Sequence, residues 1–309
     1  MSTKETIAVI GTVFVDIKGF ADAHYNPIGR NVGKIRLVHG GVGRNVAENI
    51  ARLGGDVLFV SSADDDMLGH GVIERLGHAK IDTRYVGFVP TAGMGLWMVI
   101  NDAMGRQAGA ISQMPDVRHI ERQVETYGDA IVRESDHIVL EVDLNERISQ
   151  RILDLAWMYG KQVYALPGNM EVLLRNVGFL KRVSCFICNE VEVGRLLQIN
   201  TEGKDPEEMQ RLARRCVREL EVPSIVITLG EKGCVFCDAR KGASEDGWEP
   251  AIPTDVLDPS GAGDAFFSGT TLALTRGLSM RKAVRAGTQA ASRVLRSAEN
   301  TIPAAKAVE

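Results

Sequence analysis

Hydrophobic and polar positions along the chain fall into two alternating patterns. Short β-branched runs, IAVIG (7–11), VLFVSSA (57–63), HIVLEV (137–142), QVYAL (162–166), CFIC (185–188) and SIVITLG (224–230), read as strands. Between them, 46–54, 148–160, 206–220, 265–277 and 281–295 repeat their apolar positions at helical spacing and predict amphipathic helices. Strand–helix alternation of this kind predicts an α/β fold, a mostly parallel sheet with helices on both faces. Two regions break the alternation. Residues 12–40 and 84–112 carry KIRLV, RYVGFV, GLWMVIND and RQAGAI with no helix between them. Lacking crossovers, these strands are expected to pair antiparallel as a small sheet beside the main one, a candidate lid on a single domain spanning 1–309.

Composition acts mainly by exclusion. The chain has 309 residues, 45% hydrophobic and 25% charged, enough to bury a large core without disulfide or metal staples. A formal net charge of −4 argues against a nucleic-acid-binding surface. No run of about 18 apolar residues exists to span a membrane. The apolar core of MSTKETIAVIG is too short for a secretory signal, so a cytoplasmic protein is expected. Four of five cysteines form C-x-x-C pairs, Cys185 with Cys188 and Cys234 with Cys237. The pairs stand farther apart than the about 15–20 residues of a zinc ribbon. Each pair also lies in a strand-like run, where i and i+3 point to opposite faces, so buried thiols are expected rather than zinc. Cys216, in a helical stretch, fits a reducing compartment.

Candidate chemistry gathers at glycine clusters. Asp258-Pro-Ser-Gly-Ala-Gly-Asp264 precedes the helical run AFFSGTTLALTRG. Backbone amides of Gly261, Ala262 and Gly263 at a helix start make an anion site. A carboxylate beside such a site makes sense if Asp264 takes a proton from a nucleophile attacking phosphorus; it reads equally as a helix N-cap. Gly40-Gly41-Val42-Gly43-Arg44-Asn45 fits neither a dinucleotide fingerprint nor a Walker A loop. It reads as backbone brought close to a small polar ligand, with Asn45 bonding it, or as a tight strand–helix turn. Asp16 lies where ligands of open α/β sheets bind and suits two vicinal hydroxyls, or forms a turn. Asn189 and Glu192 form N-x-x-E, able to hold hydrated Mg²⁺ beside phosphates or to make a capping box. Thr228-Leu229-Gly230-x-x-Gly233 reads as a nucleotide turn or a hairpin.

Together and in this order, GGVGRNVAENIARLG, NEVE, TLGEKG and DPSGAGDAFFSG resemble the ribokinase or PfkB-type family of sugar and nucleoside kinases over nearly the whole chain. The resemblance implies a three-layer α/β/α sandwich with a β lid. It implies Asp264 as catalytic base and the amides of Gly261, Ala262 and Gly263 as an oxyanion hole. Asp16, Gly41 and Asn45 would hold sugar hydroxyls, with Gly40 beside them. Asn189 and Glu192 would place Mg²⁺ through water, and Thr228 and Gly230, with Gly233 in the same turn, would line the ATP site. Asp258 stands where relatives often bind a monovalent cation, typically K⁺, here with Pro259 and Ser260 in place of the common threonines. Within the family, Asn31-Val-Gly33-Lys34-Ile35, Asp16-Ile-Lys-Gly and Asp143-Leu-Asn145 are most similar to pseudouridine kinases, and Arg44 with Asn45 suits a sugar carrying a polar base. Leu166-Pro167-Gly168-Asn169 stands where relatives carry an Asp in a D-P motif, which leaves another nucleoside, ribose or a fructose-type sugar open.

The expected activity is therefore ATP-dependent phosphorylation of a primary hydroxyl. A non-catalytic sugar or nucleotide sensor is the alternative of another class, but decay should first strike Asp264, Gly261 and Gly263, which are present. The apolar faces of GLWMVI and RYVGFV predict a homodimer through the lid.

Overall fold

The computed structural model describes residues 5–168, 170–240 and 244–304; Asn169 of the LPGN string and the first four residues lie outside the described residues. The first half runs β1 (Thr6–Ile10), β2 (Phe14–Ala21), β3 (Gly33–Gly40), α1 (Val42–Arg52), β4 (Asp56–Asp64), α2 (Met67–His78), β5 (Asp82–Val89), β6 (Gly95–Asn101) and β7 (Gln107–Gln113). The second runs α3 (Arg118–Glu134), β8 (His137–Glu141), α4 (Glu146–Met158), β9 (Gln162–Leu166), α5 (Met170–Arg175), β10 (Cys185–Asn189), α6 (Glu190–Leu197), α7 (Pro206–Glu219), β11 (Ser224–Thr228), β12 (Cys234–Asp238), β13 (Glu245–Glu249), α8 (Ala262–Thr275) and α9 (Met280–Leu295).

All six β-branched runs are strands of one nine-stranded sheet, ordered β13-β12-β11-β10-β9-β8-β1-β4-β5. It is parallel from β5 through β11, and β12 and β13 close one edge antiparallel. Alternate residues of each strand feed two cores. Ala8 and Ile10 pack with α3, α4, α6 and α7; Ile7 and Val9 pack with α1, α2, α8 and α9. The result is a three-layer α/β/α sandwich. The cysteine pairs follow the same alternation, Cys185 and Cys234 in one core and Cys188 and Cys237 in the other. No helix among the described residues is long and apolar enough to cross a membrane.

The chain adds β4 and β5 on one side of β1, then returns to add β8 on the other. This reversal is a topological switch point, and it opens a crevice at the carboxyl ends of β1 and β8.

The small sheet is present, ordered β3-β2-β6-β7. Two expectations about it need correction. RYVGFV is not part of it: it lies in β5, which pairs parallel with β4 at the edge of the large sheet. The crossover is α2, whose sequence MLGHGVIERLGH holds three glycines and hides a helix; Gly69 is needed because a Cβ there would lie 2.0 Å from the Asp64 carbonyl oxygen. The pairing is not all antiparallel either. The β2–β3 and β6–β7 pairs are antiparallel, but β2 and β6 run parallel, joined by the excursion through α1, β4, α2 and β5.

Candidate active site

Register places the cavity wall. Asp16 on β2 pairs with Trp97 on β6, and Trp97 with Ser112 on β7, so one row of the small sheet faces the crevice at the switch point. Between this row and the large sheet lies a cavity of about 530 Å³. Thr12, Gly40, Gly41, Asn45, Glu141, Asp143, Ser260, Gly261, Asp264 and Asn300 supply its polar lining; Phe14, Trp97, Met114, Pro115, Val117 and Leu144 supply an apolar side.

Asp264 lies in the first turn of α8, whose N-cap is Gly261, so the N-cap reading of Asp264 does not hold. Its Oδ2 instead accepts from Asn45 Nδ2 at 2.7 Å. Burial pushes the Asp264 carboxyl up to about 6, and the Glu192 charge adds to this; the Asn45 hydrogen bond and the Arg44 charge pull the other way. A carboxyl poised there can exchange a proton near neutral pH.

The glycines before it divide by role. Gly261 has φ +79°, and a Cβ there would lie 2.0 Å from the Asn300 carbonyl oxygen, so packing demands glycine. At Gly263 a Cβ would meet nothing within 4 Å, so packing within the protein does not explain that glycine. The Ala262 amide differs from expectation: it donates to the Pro259 carbonyl at 3.3 Å, inside the loop.

The Gly40–Gly41 pair is a strand-to-helix turn that also lines the cavity. Gly41, at φ +94°, caps α1, and a Cβ there would lie 2.6 Å from the Thr12 carbonyl oxygen and 2.7 Å from the Phe14 amide nitrogen. A Cβ on Gly40 would lie 2.7 Å from the Asp16 carboxylate. Arg44 does not face the cavity. It is 1% exposed, donating to Glu48, the His39 and Gly40 carbonyls and Asn45 Oδ1. Glu48 is buried and also accepts from Arg52 and Arg75. Arg44 therefore holds Asn45, which in turn donates to Asp264; it does not line the cavity, and its side chain gives no reason to expect a base beside the sugar.

Asp16 lies within β2, and burial raises its carboxyl against the lowering from Asn300, Lys18 and Arg44. Asn300, in the segment after α9, donates to Asp16 Oδ2 at 3.1 Å. Among the described residues its Oδ1 is buried without a hydrogen-bond partner. Two acceptors side by side on the cavity wall fit two hydroxyl donors, as a sugar diol offers.

Glu141, the last residue of β8, was not singled out in the sequence. It accepts from the Thr12 amide at 2.8 Å and the Thr12 hydroxyl at 3.0 Å, tying together the two strands of the switch point. Burial pushes it up to about 7, with Asp143 and Asp264 adding to the rise. A Cβ at Gly168 would lie 2.1 Å from Glu141 Oε1, so glycine in the LPGN string makes room for this carboxyl. Asp143 Oδ1 accepts from the Gly168 amide at 2.8 Å. A charged residue ending an apolar parallel strand was the available signal.

The nucleotide candidates lie on the same rim but outside this cavity. Asn189 and Glu192 form the capping box of α6: Asn189 Oδ1 accepts from the Glu192 amide at 2.9 Å, and Glu192 Oε2 from the Asn189 amide at 2.7 Å. That commits one oxygen of Glu192; holding Mg²⁺ through water needs a single acceptor, so the pair fits a hydrated ion. Thr228 ends β11. Gly230 stands at φ +58° with open space beside it, whereas Gly233, at φ +92°, is fixed by the Glu249 carbonyl of β13.

A monovalent cation does not fit Asp258. Its Oδ1 accepts from the Ser260 amide at 2.8 Å and its Oδ2 from Lys18 Nζ at 3.1 Å, so an added cation would lie against an ammonium.

Comparison with known proteins agrees with this architecture. The family model described as "pfkB family carbohydrate kinase" matches residues 4–307. A guanosine-inosine kinase from Exiguobacterium acetylicum is 33% identical over 95% of each chain. The pseudouridine kinase of Escherichia coli (strain K12) is 25% identical over 92% of this chain and 88% of its own. Arabidopsis thaliana ribokinase, solved with ribose and ATP, superposes with TM-score 0.80 at 22% identity, covering 98% of this chain and 96% of that one. The protein is thus a ribokinase-like phosphotransferase acting on a small molecule. The chain belongs to the pfkB family of carbohydrate kinases, whose members here include sugar and nucleoside kinases.

Proposed function

We propose that the protein is an ATP- and Mg²⁺-dependent nucleoside kinase that phosphorylates the 5′-hydroxyl of a ribonucleoside, a 6-oxopurine nucleoside such as guanosine or inosine before pseudouridine. The observation that carries the chemistry is Asp264, set at the start of α8 and held by Asn45 at 2.7 Å, with its carboxyl raised to about 6. Asp264 receives the hydroxyl proton as the new O–P bond forms and the bond to ADP breaks. The α8 dipole and the amides of Gly261 and Gly263 favour the charge that develops; the Ala262 amide must leave Pro259 to join them.

Asp16 and Asn300 accept the sugar hydroxyls, with Gly40, Gly41 and Asn45 completing that wall. The reading of a nucleoside is supported by the apolar side of the cavity: Phe14, Trp97 and Met114 line it and offer apolar and aromatic surface to a base that a bare pentose would leave uncovered. Asp143 and Glu141 line the same cavity and suit the N–H groups of a base. The 33% relative favours guanosine or inosine. Pseudouridine stands second, on the strings Asp16-Ile-Lys-Gly and Asp143-Leu-Asn145 and the 25% relative.

Asn189 and Glu192 hold Mg²⁺ through water, and Thr228, Gly230 and Gly233 border the ATP site. When bound, Mg²⁺ offsets phosphate charge. The small sheet acts as a lid that keeps water from the phosphate. Its outer row, Leu37, Ile17, Met98 and Ile111 in register, is apolar, with Ile111 71% exposed and Ile35 beside the row 76% exposed. That face pairs two chains into a homodimer in the cytoplasm.

The test is ADP release with Mg-ATP and guanosine, inosine, pseudouridine, uridine, adenosine, ribose or fructose. A kcat/KM for guanosine or inosine at least about tenfold above ribose supports the reading. Preference for ribose or fructose removes the nucleoside and keeps the kinase; no turnover of any member removes both.

A further inference from the structure

The cation of the catalytic loop is a side chain. Lys18 stands on β2 two residues beyond Asp16, on the same face, and only 8% of it is exposed. Its Nζ lies 3.1 Å from Asp258 Oδ2 and 3.5 Å from Ser260 Oγ, the loop that leads into Gly261 and Asp264. Burial alone would raise the Asp258 carboxyl; the Ser260 and Lys18 hydrogen bonds and the Lys18 charge outweigh it and hold Asp258 below the usual carboxylate range. Asp16 feels the same ammonium.

A buried ammonium persists only where oxygen atoms surround it, and a loop carboxylate this near the reacting centre needs a counter-charge. A single +1 group with three N–H donors meets both needs. It is tethered, so no ion has to be captured from solution. It also comes from the small sheet, so the same charge ties that sheet to the loop.

We propose that the Lys18 ammonium, seated against Asp258 and Ser260, is a built-in monovalent cation, and that phosphotransfer here requires no free potassium or sodium ion. The inference rests on the kinase reading for its activity arm alone.

The experiment compares wild type, Lys18→Met and Lys18→Arg in KCl, NaCl and tetramethylammonium chloride at equal ionic strength. ADP release with guanosine or inosine and thermal unfolding without substrates are both measured. Wild type is expected to keep its kcat/KM within about twofold and its Tm within about 1 °C across the three salts. Lys18→Met is expected to lose about tenfold or more in tetramethylammonium, to recover most of it in KCl, and to gain about 2–4 °C in Tm from K⁺. Lys18→Arg, keeping the charge, should stay indifferent to the salt.

Potassium activation or potassium-dependent Tm in the wild type overturns the proposal. So does a folded Lys18→Met that is fully active without K⁺, or one that no monovalent ion restores. If Lys18→Met folds only in KCl, that supports it; if it is unfolded in every salt, the ammonium serves folding and the proposal fails. Should no nucleoside be turned over at all, the kinase reading falls while the unfolding arm still decides the role of Lys18.

Discussion

Asn45 Nδ2 donates to Asp264 Oδ2 across 2.7 Å, joining the first turns of α1 and α8 although 219 positions separate the two residues. This hydrogen bond favours the ionised carboxylate, against burial, which favours the protonated one. Replacing the amide by a second carboxylate, Asn45→Asp, reverses its effect. The rising limb of kcat/KM against pH is expected to move to higher pH by about one unit or more, as for two carboxylates sharing a site. A limb that stays in place would separate Asn45 from the base.

As the proposed base, Asp264 must be ionised in the wild type to accept a proton. Its carboxyl stands at about 6, so kcat/KM should climb with pH through about 6 and level off above it. Asp264→Asn should lower kcat by about 10²–10⁴ and flatten that limb, with the fold unchanged by circular dichroism.

Glu141 makes a prediction about stability. Its carboxyl is raised from 4.5 to about 7, so the native chain binds this proton more tightly than the unfolded one. The stability it contributes is therefore complete below about 4.5 and is lost as pH rises through about 7, by up to about 3 kcal/mol. Glu141→Gln keeps the acceptor for Thr12 without the charge. Its Tm should exceed that of the wild type at pH 8 and match or fall below it at pH 5. The opposite order would place the Glu141 pKa below its ordinary value.

Gly261 and Gly263, two positions apart at the start of α8, should respond in opposite ways. Gly261→Ala forces a Cβ onto the Asn300 carbonyl at positive φ and should lower Tm by several degrees, together with activity. Gly263→Ala meets no protein atom and replaces a helical glycine, so its Tm should hold or rise; if the phosphate binds at the start of α8 as proposed, kcat should fall, because the methyl group would enter its space. Equal activity in Gly263→Ala and wild type would remove that amide from the anion site.

The outer row of the small sheet predicts association. Ile111→Glu or Leu37→Glu should convert a dimer to a monomer by light scattering at micromolar concentration, leaving Tm within about 2 °C. A wild-type monomer at that concentration would count against the interface.

Much of this was legible in the sequence, for reasons that differ by element. Buried parallel strands write themselves as apolar runs, and all six were found in place. The Gly-Ala-Gly-Asp segment announces a helix start with a carboxylate in its first turn, and so it is. β5 was misplaced because its crossover helix is glycine-rich and shows no clear period, leaving RYVGFV without a parallel partner. Lys18 shares a face with Asp16 at the period of two, yet only the carboxylate drew notice. Its neighbours in GGVGRN put Arg44 beside the sugar, suited to a polar base; only tertiary contact with Glu48 reveals a buried brace. Asn300 carries no local pattern, because it meets Asp16 across 284 positions and its place is set by how the chain closes.

The small sheet consists of two hairpins rooted side by side. β2 leaves the body at Phe14, β3 returns at Gly40, β6 leaves at Gly95 and β7 ends at Gln113, and the Gly95 amide donates to the Val13 carbonyl at 2.8 Å along that root. The far ends, 22–32 and 102–106, lie between the strands of each hairpin, and their hydrogen bonds among the described residues stay within those ends. A plate attached along one edge has a single easy motion, a rotation about that edge. Such a swing keeps every ladder hydrogen bond of the four strands and parts the contacts that bridge the gap, those of Lys18 with Asp258 and Ser260 and those of Asn300 with Asp16 and the His39 carbonyl. The plate thus turns as a page does on its binding, with the strength of two latches setting how readily it lifts.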